Sequence, residues 1–211
     1  MSPAVSVDQR LQNMLDEHEI AGVLARWAHA RDVADWETLA GCFHADAMVQ
    51  ISWIHDTASE FIERSRGLAA NRKPGMRSKH EITGPNLRLN GDRALGIIDV
   101  HLMMRSKVDD TEVDLQSWFH FFDRVEKRDG VWRILNHTAV YEQDRLDVVD
   151  PRGAPDGLFD DMDLSGYPNS CKFQQYFQRK VGRRPSDNVV CIHTPEETEL
   201  IRSGEAWLAE G

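Results

Sequence analysis

The chain has 211 residues, of which 41% are hydrophobic and 28% charged, a composition typical of one globular core. It carries 25 Lys and Arg against 35 Asp and Glu, a formal net charge of −10. This overall field repels nucleic-acid phosphates and anionic lipid headgroups, so we expect neither nucleic acid nor a membrane as a partner. No window holds the about 18 to 20 apolar residues of a membrane helix, and the start lacks a signal-peptide pattern. The sequence therefore predicts a cytoplasmic protein.

The first part of the chain predicts two helices. Ser6 to Gln9 has the spacing of a capping box, and apolar residues from Ile20 to Trp27 recur at helical intervals. Asp35-Trp-Glu-Thr38 is typical of the cap of a short second helix. Residues 31–34 then form the bend between the two helices, and Asp32 lies in it.

A curved sheet is predicted for the middle of the chain. A strand at 47–54 and a helix at 57–71 precede a break at Lys73-Pro-Gly-Met76, and strand patterns follow at 80–89, 94–108, 113–125 and 132–141. Helices followed by a long antiparallel meander favour an α+β fold, with one curved sheet wrapped against the early helices.

The end of the chain differs in character from the rest. We assign residues 1–146 to the main domain and 147–211 to a C-terminal extension, because the latter begins turn-rich and acidic. Short helices are predicted at 172–181 and after the capping box Thr194-Pro-Glu-Glu197. The extension packs on the main domain, forms a lid, or forms an arm to a second copy, and the sequence does not separate these alternatives.

Several residues could carry chemistry. A carboxylate at the C-terminal end of a helix costs up to about 1 kcal/mol, so Asp32 needs a partner: the start of the next helix, Arg31, or an imidazole that it orients. His80 opens a strand on an otherwise apolar face, where a lone histidine is more often a core residue than a base. His120 and His137 lie among aromatics on later strands, and three histidines on one concave sheet face would mark a pocket.

Motifs for metals and common cofactors are missing from the sequence. There is no HExxH, no GxGxxG, no P-loop and no GxSxG elbow. Cys191-Ile-His193 supplies only two potential zinc ligands, and the three cysteines are an odd number at wide spacings, which favours free thiols. We therefore predict no metal site and chemistry without a cofactor.

Five short motifs, taken in order, resemble one known family. They are Arg31-Asp32-Val-Ala-Asp-Trp-Glu-Thr-Leu39, Lys79-His80-Glu-Ile-Thr-Gly-Pro85, Asn90-Gly-Asp-Arg-Ala94, Arg128-Asp-Gly-Val-Trp-Arg-Ile134 and Tyr141-Glu-Gln-Asp-Arg145. Residues 7–145 thereby resemble the SnoaL-like branch of the nuclear transport factor 2-like (NTF2-like) superfamily. The resemblance implies an α+β cone with a deep apolar cavity, and a homodimer or higher homo-oligomer.

The resemblance also implies an activity and a set of site residues. Cofactor-independent members of this family, namely dehydratases and dehydrochlorinases, use an Asp–His pair at positions occupied here by Asp32 and His80. A related group of lyases with the same architecture removes formaldehyde from lignin-derived diaryl compounds. The catalytic set that it implies is completed by Arg31 and His137. The expected substrate-binding residues are Trp27, Trp53, Leu102, Trp118, His120 and Tyr141.

We expect His80, tethered by Asp32, to abstract a proton from a small, mostly apolar, aromatic substrate. Arg31, His120 and His137 are candidates for stabilising a leaving hydroxyl or an oxyanion, with Tyr141 as a weaker fourth. Arg31 replaces a tyrosine of the dehydratases and His137 an arginine of the dehydrochlorinases, so the substrate does not transfer. One alternative is an isomerase, which needs a second carboxylate; Asp99 is the available acid, but alternation puts it on the less favoured face of the sheet. The others are an epoxide hydrolase, which needs an ordered water network in the cavity, and a non-catalytic binding or assembly module.

Overall fold

A computed structural model of the chain describes residues 6–72 and 75–211. Residues 1–5 and part of the predicted break at 73–76 lie outside the described residues. The helices are α1 (Val7–Val33), α2 (Trp36–Gly41), α3 (Ala58–Ala70), α4 (Lys172–Lys180) and α5 (Pro195–Ala209). The strands are β1 (Phe43–Ile51), β2 (Ile54–Thr57), β3 (Arg77–Asn90), β4 (Arg93–Val108), β5 (Thr111–Arg128), β6 (Val131–Val148) and β7 (Val190–Cys191).

The two N-terminal helices begin where the capping patterns predict. The Ser6 hydroxyl accepts from the N–H of Gln9 at 3.1 Å, and the Asp35 carboxylate caps α2. The bend is later than predicted, because α1 continues to Val33 and Ala34 alone takes the left-handed conformation, at φ 62°. Asp32 therefore lies in the last turn of α1 and not in a loop.

The sheet confirms the α+β prediction. Its strand order is β2-β1-β6-β5-β4-β3, and β7 pairs with β6. Strands β3 to β6 form the predicted antiparallel meander, whereas β1 runs parallel to β6. Since β3 pairs only with β4 among the described strands, the N–H groups on its other side are free for other partners.

The two faces of the sheet are covered by different parts of the chain. Its inner face packs on α1 and α3, with residues such as Ile98, Val100 and Phe121 in the main core. Its outer face is partly covered by α5, whose Leu208 packs with Leu95 and other apolar residues of the sheet. Both faces of β5 therefore bury aromatic side chains.

The C-terminal extension adds to both faces of the main domain. Phe177 of α4 packs against Val113 and Leu115 of β5, beside the open end of the cone, while α5 docks on the outside. The strand β6 runs to Val148, two residues beyond the boundary predicted at 146. None of the described helices has both the length and the apolar character needed to cross a membrane.

Candidate active site

Asp32 and His80 are held together by two hydrogen bonds. The Asp32 Oδ1 atom lies 2.6 Å from Nδ1 of His80, and its Oδ2 atom accepts from the His80 backbone N–H at 2.9 Å. That N–H is free because β3 is an edge strand. The carboxylate at the unfavourable end of α1 thus gains two donors from one residue, and Lys79 adds a positive charge 3.6 Å away.

The electrostatics of the pair fix its protonation state at neutral pH. Burial raises the pKa of the Asp32 carboxyl, but the hydrogen bonds and charge of His80 more than offset this and hold it below its ordinary value. Burial lowers the pKa of the His80 imidazole and outweighs the attraction of Asp32. An ionised carboxylate can only accept hydrogen bonds, so Nδ1 of His80 carries the proton and Nε2 holds the free electron pair of a base.

The imidazole of His80 lines a cavity of ≈ 220 Å³ between α3, β3, β4 and α4. The cavity lies at the open end of the cone, because aromatic side chains such as Trp27, Phe61 and Phe121 fill its centre. Arg31, Trp53 and Leu102, three of the expected site residues, also line it. Of the Asp32–His80 pair, the His80 side chain is 12% exposed and the Asp32 side chain 7% exposed.

Basic side chains dominate the charge of this cavity. Five arginines line it, Arg31, Arg72, Arg77, Arg105 and Arg183, and no Asp or Glu does so among the described residues. Arg105 is paired with a carboxylate outside the cavity. Burial, together with the charges of Arg72 and Arg183, lowers the pKa of the Arg31 guanidinium to about 10. The cavity is therefore a region of positive potential in a chain of negative net charge.

Buried polar atoms in the cavity wall lack hydrogen-bond partners among the described residues. They are Ser65 Oγ, Ser106 Oγ, Gln174 Oε1 and Gln178 Oε1. The two glutamines are anchored by their Nε2 atoms, which donate to Ser52 Oγ at 2.9 and 2.7 Å. Because buried polar groups in proteins are nearly always satisfied, this wall is suited to a polar ligand.

Two predicted substrate-binding residues lie behind the cavity wall. The Trp27 ring packs edge-on against the His80 ring, with centroids 5.5 Å apart, and the tryptophan is 2% exposed. The Tyr141 hydroxyl is buried and accepts from the N–H of Ser52 at 2.9 Å. Burial also raises the pKa of Tyr141, so this hydroxyl serves the core and is not available as an acid.

His137 lies deeper still, in a second acid–imidazole pair that the sequence analysis missed. Its Nδ1 atom is 2.6 Å from Asp123 Oδ1, and both side chains are fully buried. Burial raises the pKa of the Asp123 carboxyl. The His137 ring stacks on Phe121 and packs against Trp27, which separates it from the cavity lining. The direct register of Asp123 and His137 across the β5–β6 hairpin is the signal that could have revealed this pair.

Trp118 and His120 lie on the opposite face of the sheet, so their predicted place in the cavity is wrong. Alternation shows which residues share a face, but both faces of β5 are aromatic, and it is Phe119 and Phe121 that face inward. On the outside, Trp118 stacks on His101, and His120 hydrogen bonds to Glu142.

Three residues of this outer face could hold a cation. The potential ligand atoms of Asp99, His120 and Glu142 lie within 4.8 Å of one another. The cluster is separated from His80 by the thickness of the sheet, so it takes no part in chemistry at the cavity. Asp99 is exposed there, as its alternation predicts.

Several cavity residues were not predicted from the sequence, and they come from α4 and from the segments that follow α3 and α4. Arg72 follows α3, Gln174 and Gln178 lie on α4, and Arg183 lies in the loop after α4. Gln174 and Gln178 lie one helical turn apart, but no periodic pattern links them to Arg72 or Arg183. The adjacent basic residues Arg183-Arg184 in an acidic extension are the one signal that could have pointed to the cavity.

The fold and site together define a class: α+β cones whose helices and curved sheet enclose a cavity with an acid–imidazole pair in its wall. The chain belongs to the SnoaL-like domain family, whose model matches residues 12–138.

Several proteins are similar to this chain. It is 29% identical over 157 residues to pea pathogenicity protein 2 of Fusarium vanettenii, an alignment of 72% of the chain and 64%, or under two thirds, of that relative. A putative scytalone dehydratase from Novosphingobium aromaticivorans superposes with a TM-score of 0.54 at 16% identity, covering 68% of this chain and 97% of the other. Hexachlorocyclohexane dehydrochlorinase LinA-type3 from Novosphingobium barchaimii gives 0.53 at 17%, covering 62% and 88%. The two structures show likeness of fold alone.

Proposed function

We propose that the protein is a cofactor-independent lyase in which His80 abstracts a proton and Asp32 orients it. The observation that carries the proposal is the 2.6 Å contact of Asp32 with Nδ1, which leaves Nε2 of a cavity-lining imidazole as the base. A positioned base contributes typically about 10² to 10⁴-fold to a rate. The substrate is a small hydroxylated molecule with an aromatic part.

Two eliminations fit this arrangement. In a dehydration, Nε2 of His80 takes a proton from carbon, the C–H electron pair forms a double bond, and the neighbouring C–O bond breaks, with the proton returned to the departing hydroxyl as water. In a deformylation, Nε2 takes the proton of a hydroxymethyl group, the C–C bond breaks to release formaldehyde, and the carbanion regains the proton. Both place negative charge in the cavity, where Arg31 stabilises it.

The alternatives from the sequence have less support. An isomerase would need a second carboxylate near the base, and no described cavity-lining residue is an acid. Asp99, the acid considered for this role, is on the outer face. An epoxide hydrolase would need an ordered water network in the cavity. A non-catalytic module would be favoured by an Asp32 beyond hydrogen-bond reach of His80, and the two are in contact.

A turnover screen tests the proposal. Purified protein is incubated with hydroxylated aromatic compounds, including lignin-derived diaryl alcohols, and loss of water or formaldehyde is followed by mass spectrometry. For a turned-over compound, His80→Ala should lower kcat/KM by at least about a hundredfold while the circular dichroism spectrum is unchanged. His18→Ala, an exposed histidine on α1, is the matched control and should leave it unchanged. Equal turnover by the His80 and His18 variants would refute the role of His80.

A homodimer or higher homo-oligomer, a cytoplasmic location and the division into residues 1–146 and 147–211 stay predictions. Exposed apolar side chains at Val7, Leu11, Met14 and Leu15 follow one stripe of α1, where a second copy could bind. Sedimentation of the wild type and of Leu11→Glu tests this contact, because a dimer built on it would dissociate in the variant.

A further inference from the structure

We propose that the substrate carries an anionic group, a carboxylate or a phosphate, and that Arg31, Arg72 and Arg183 bind this group in the cavity. The inference rests on the proposed function for the identity of the site, because His80 lines the same cavity. It adds the chemical class of the substrate, which neither the fold nor the acid–imidazole pair defines.

The first support is that none of these three guanidiniums is in direct contact with a carboxylate of the described chain; the charge of Asp32 raises the pKa of Arg31 without forming an ion pair with it. Among the described residues none of them forms an ion pair, whereas Arg105 at the same cavity is held by Asp114 in a two-point contact of 2.8 and 2.6 Å. Arg31 lies over the ring of Phe61, at 5.8 Å, and in the described part of the chain the Arg72 side chain donates to the Ser78 hydroxyl, at 3.4 Å. The chain has more acidic than basic residues, yet no described acid forms an ion pair with these three guanidiniums.

The second support is the mutual repulsion of these charges. Burial lowers the pKa of both Arg31 and Arg183, and the charge of Arg72 lowers each further. Like charges gathered in a partly enclosed site destabilise the free protein. An anion bound among them would remove this repulsion and gain charge-assisted hydrogen bonds from planar guanidinium groups, which match the geometry of carboxylates and phosphates.

The third support is the buried, unpartnered hydroxyls beside the arginines. Ser65 is 0% exposed and Ser106 is 2% exposed; both residues belong to the cavity wall, and their buried Oγ atoms have no partner among the described residues. Each hydroxyl can donate to an anionic oxygen. The unpartnered Oε1 atoms of Gln174 and Gln178 would in turn accept from a substrate hydroxyl. The wall is thus equipped for a hydroxylated anion.

A binding experiment tests this without any turnover. Benzoate, inorganic phosphate and benzyl alcohol are titrated into the full chain by isothermal calorimetry at low and high salt. Benzyl alcohol is the neutral counterpart of benzoate. We expect benzoate or phosphate to bind more tightly than benzyl alcohol and to weaken as salt is added. Preference for benzoate assigns a carboxylate substrate, and preference for phosphate assigns a phosphorylated one. Equal or tighter binding of benzyl alcohol would overturn the proposal.

Charge-removing variants locate the site. Arg72→Gln and Arg183→Gln should each weaken binding of the preferred anion by about tenfold or more, because each removes charge-assisted hydrogen bonds. Arg88→Gln is the matched control, since Arg88 is exposed and paired with Glu205. Neither cavity variant should lower the melting temperature, because each relieves repulsion. The inference would be refuted if both cavity variants bound the anion as tightly as Arg88→Gln does. It would also be refuted if both had a lowered melting temperature, because these arginines would then have a structural role.

One further variant separates this inference from the proposed function. His80→Ala should bind the anion within a few-fold of the wild type while turnover is lost. Anion binding without any His80-dependent turnover would leave the anion site standing and remove the base. If the protein turned over only neutral compounds, and did so through His80, the base would stand and the anion site would be refuted.

Discussion

Replacing Asp32 with asparagine removes the charge of the pair while keeping its shape. The carboxylate accepts from both Nδ1 and the backbone N–H of His80, but an amide has one oxygen and can keep only one of these bonds. When its oxygen keeps the backbone N–H, its NH₂ group faces Nδ1 and favours the tautomer protonated on Nε2. In that tautomer Nε2 already carries a proton and cannot take one from the substrate, so turnover should fall by about 10² to 10⁴-fold.

The same variant should also lower the free energy of unfolding. One hydrogen bond to a charged group contributes about 1.5 to 3 kcal/mol, and the cheaper burial of a neutral amide returns part of this, so we expect a loss of about 2 kcal/mol. Urea denaturation at pH 7 measures it. The matched control is Asp46→Asn, because Asp46 is exposed and paired with Arg128. This substitution should lower the free energy of unfolding by less than about 1 kcal/mol. Equal losses in the two variants, with turnover retained in both, would refute the reasoning.

Further predictions concern pH and the packing of α5. Because the pKa of His80 lies below its ordinary value, kcat/KM should rise with pH along an acid limb whose midpoint is below about 6.5, and a higher midpoint would contradict this. Gly204→Ala should lower the melting temperature, because the new Cβ would lie 2.6 Å from the Phe122 ring. Gly67→Ala, in open space on α3, should raise it through helix propensity, and stabilisation by both would argue against docking of α5 on the sheet.

Local signals in the sequence predicted the elements well. Side chains at Ser6, Asp35 and Thr194 cap helices as their spacing predicts, because capping involves only residues three apart. The strands are longer than predicted. Their ends carry polar residues that pair across hairpins, as Arg93 and Glu126 do, and periodicity does not mark such ends.

Long-range placement was predicted only in part. The contact of Asp32 with His80, 48 positions apart, followed from resemblance and not from any local pattern. The inward face of β5 was assigned wrongly, because burial on both sides removes the polar alternation that would identify it. Arg183 was missed, since its place at the cavity depends on how an irregular extension folds back over the main domain.

The tautomer and pKa of His80 test the central claim most directly. Nuclear magnetic resonance of the protein labelled with ¹⁵N in histidine, with His80→Gln to assign the signal, reports both quantities without a substrate. The account predicts that His80 carries its proton on Nδ1 at neutral pH and titrates below about 6.5. A proton on Nε2, or a pKa above that value, would contradict it.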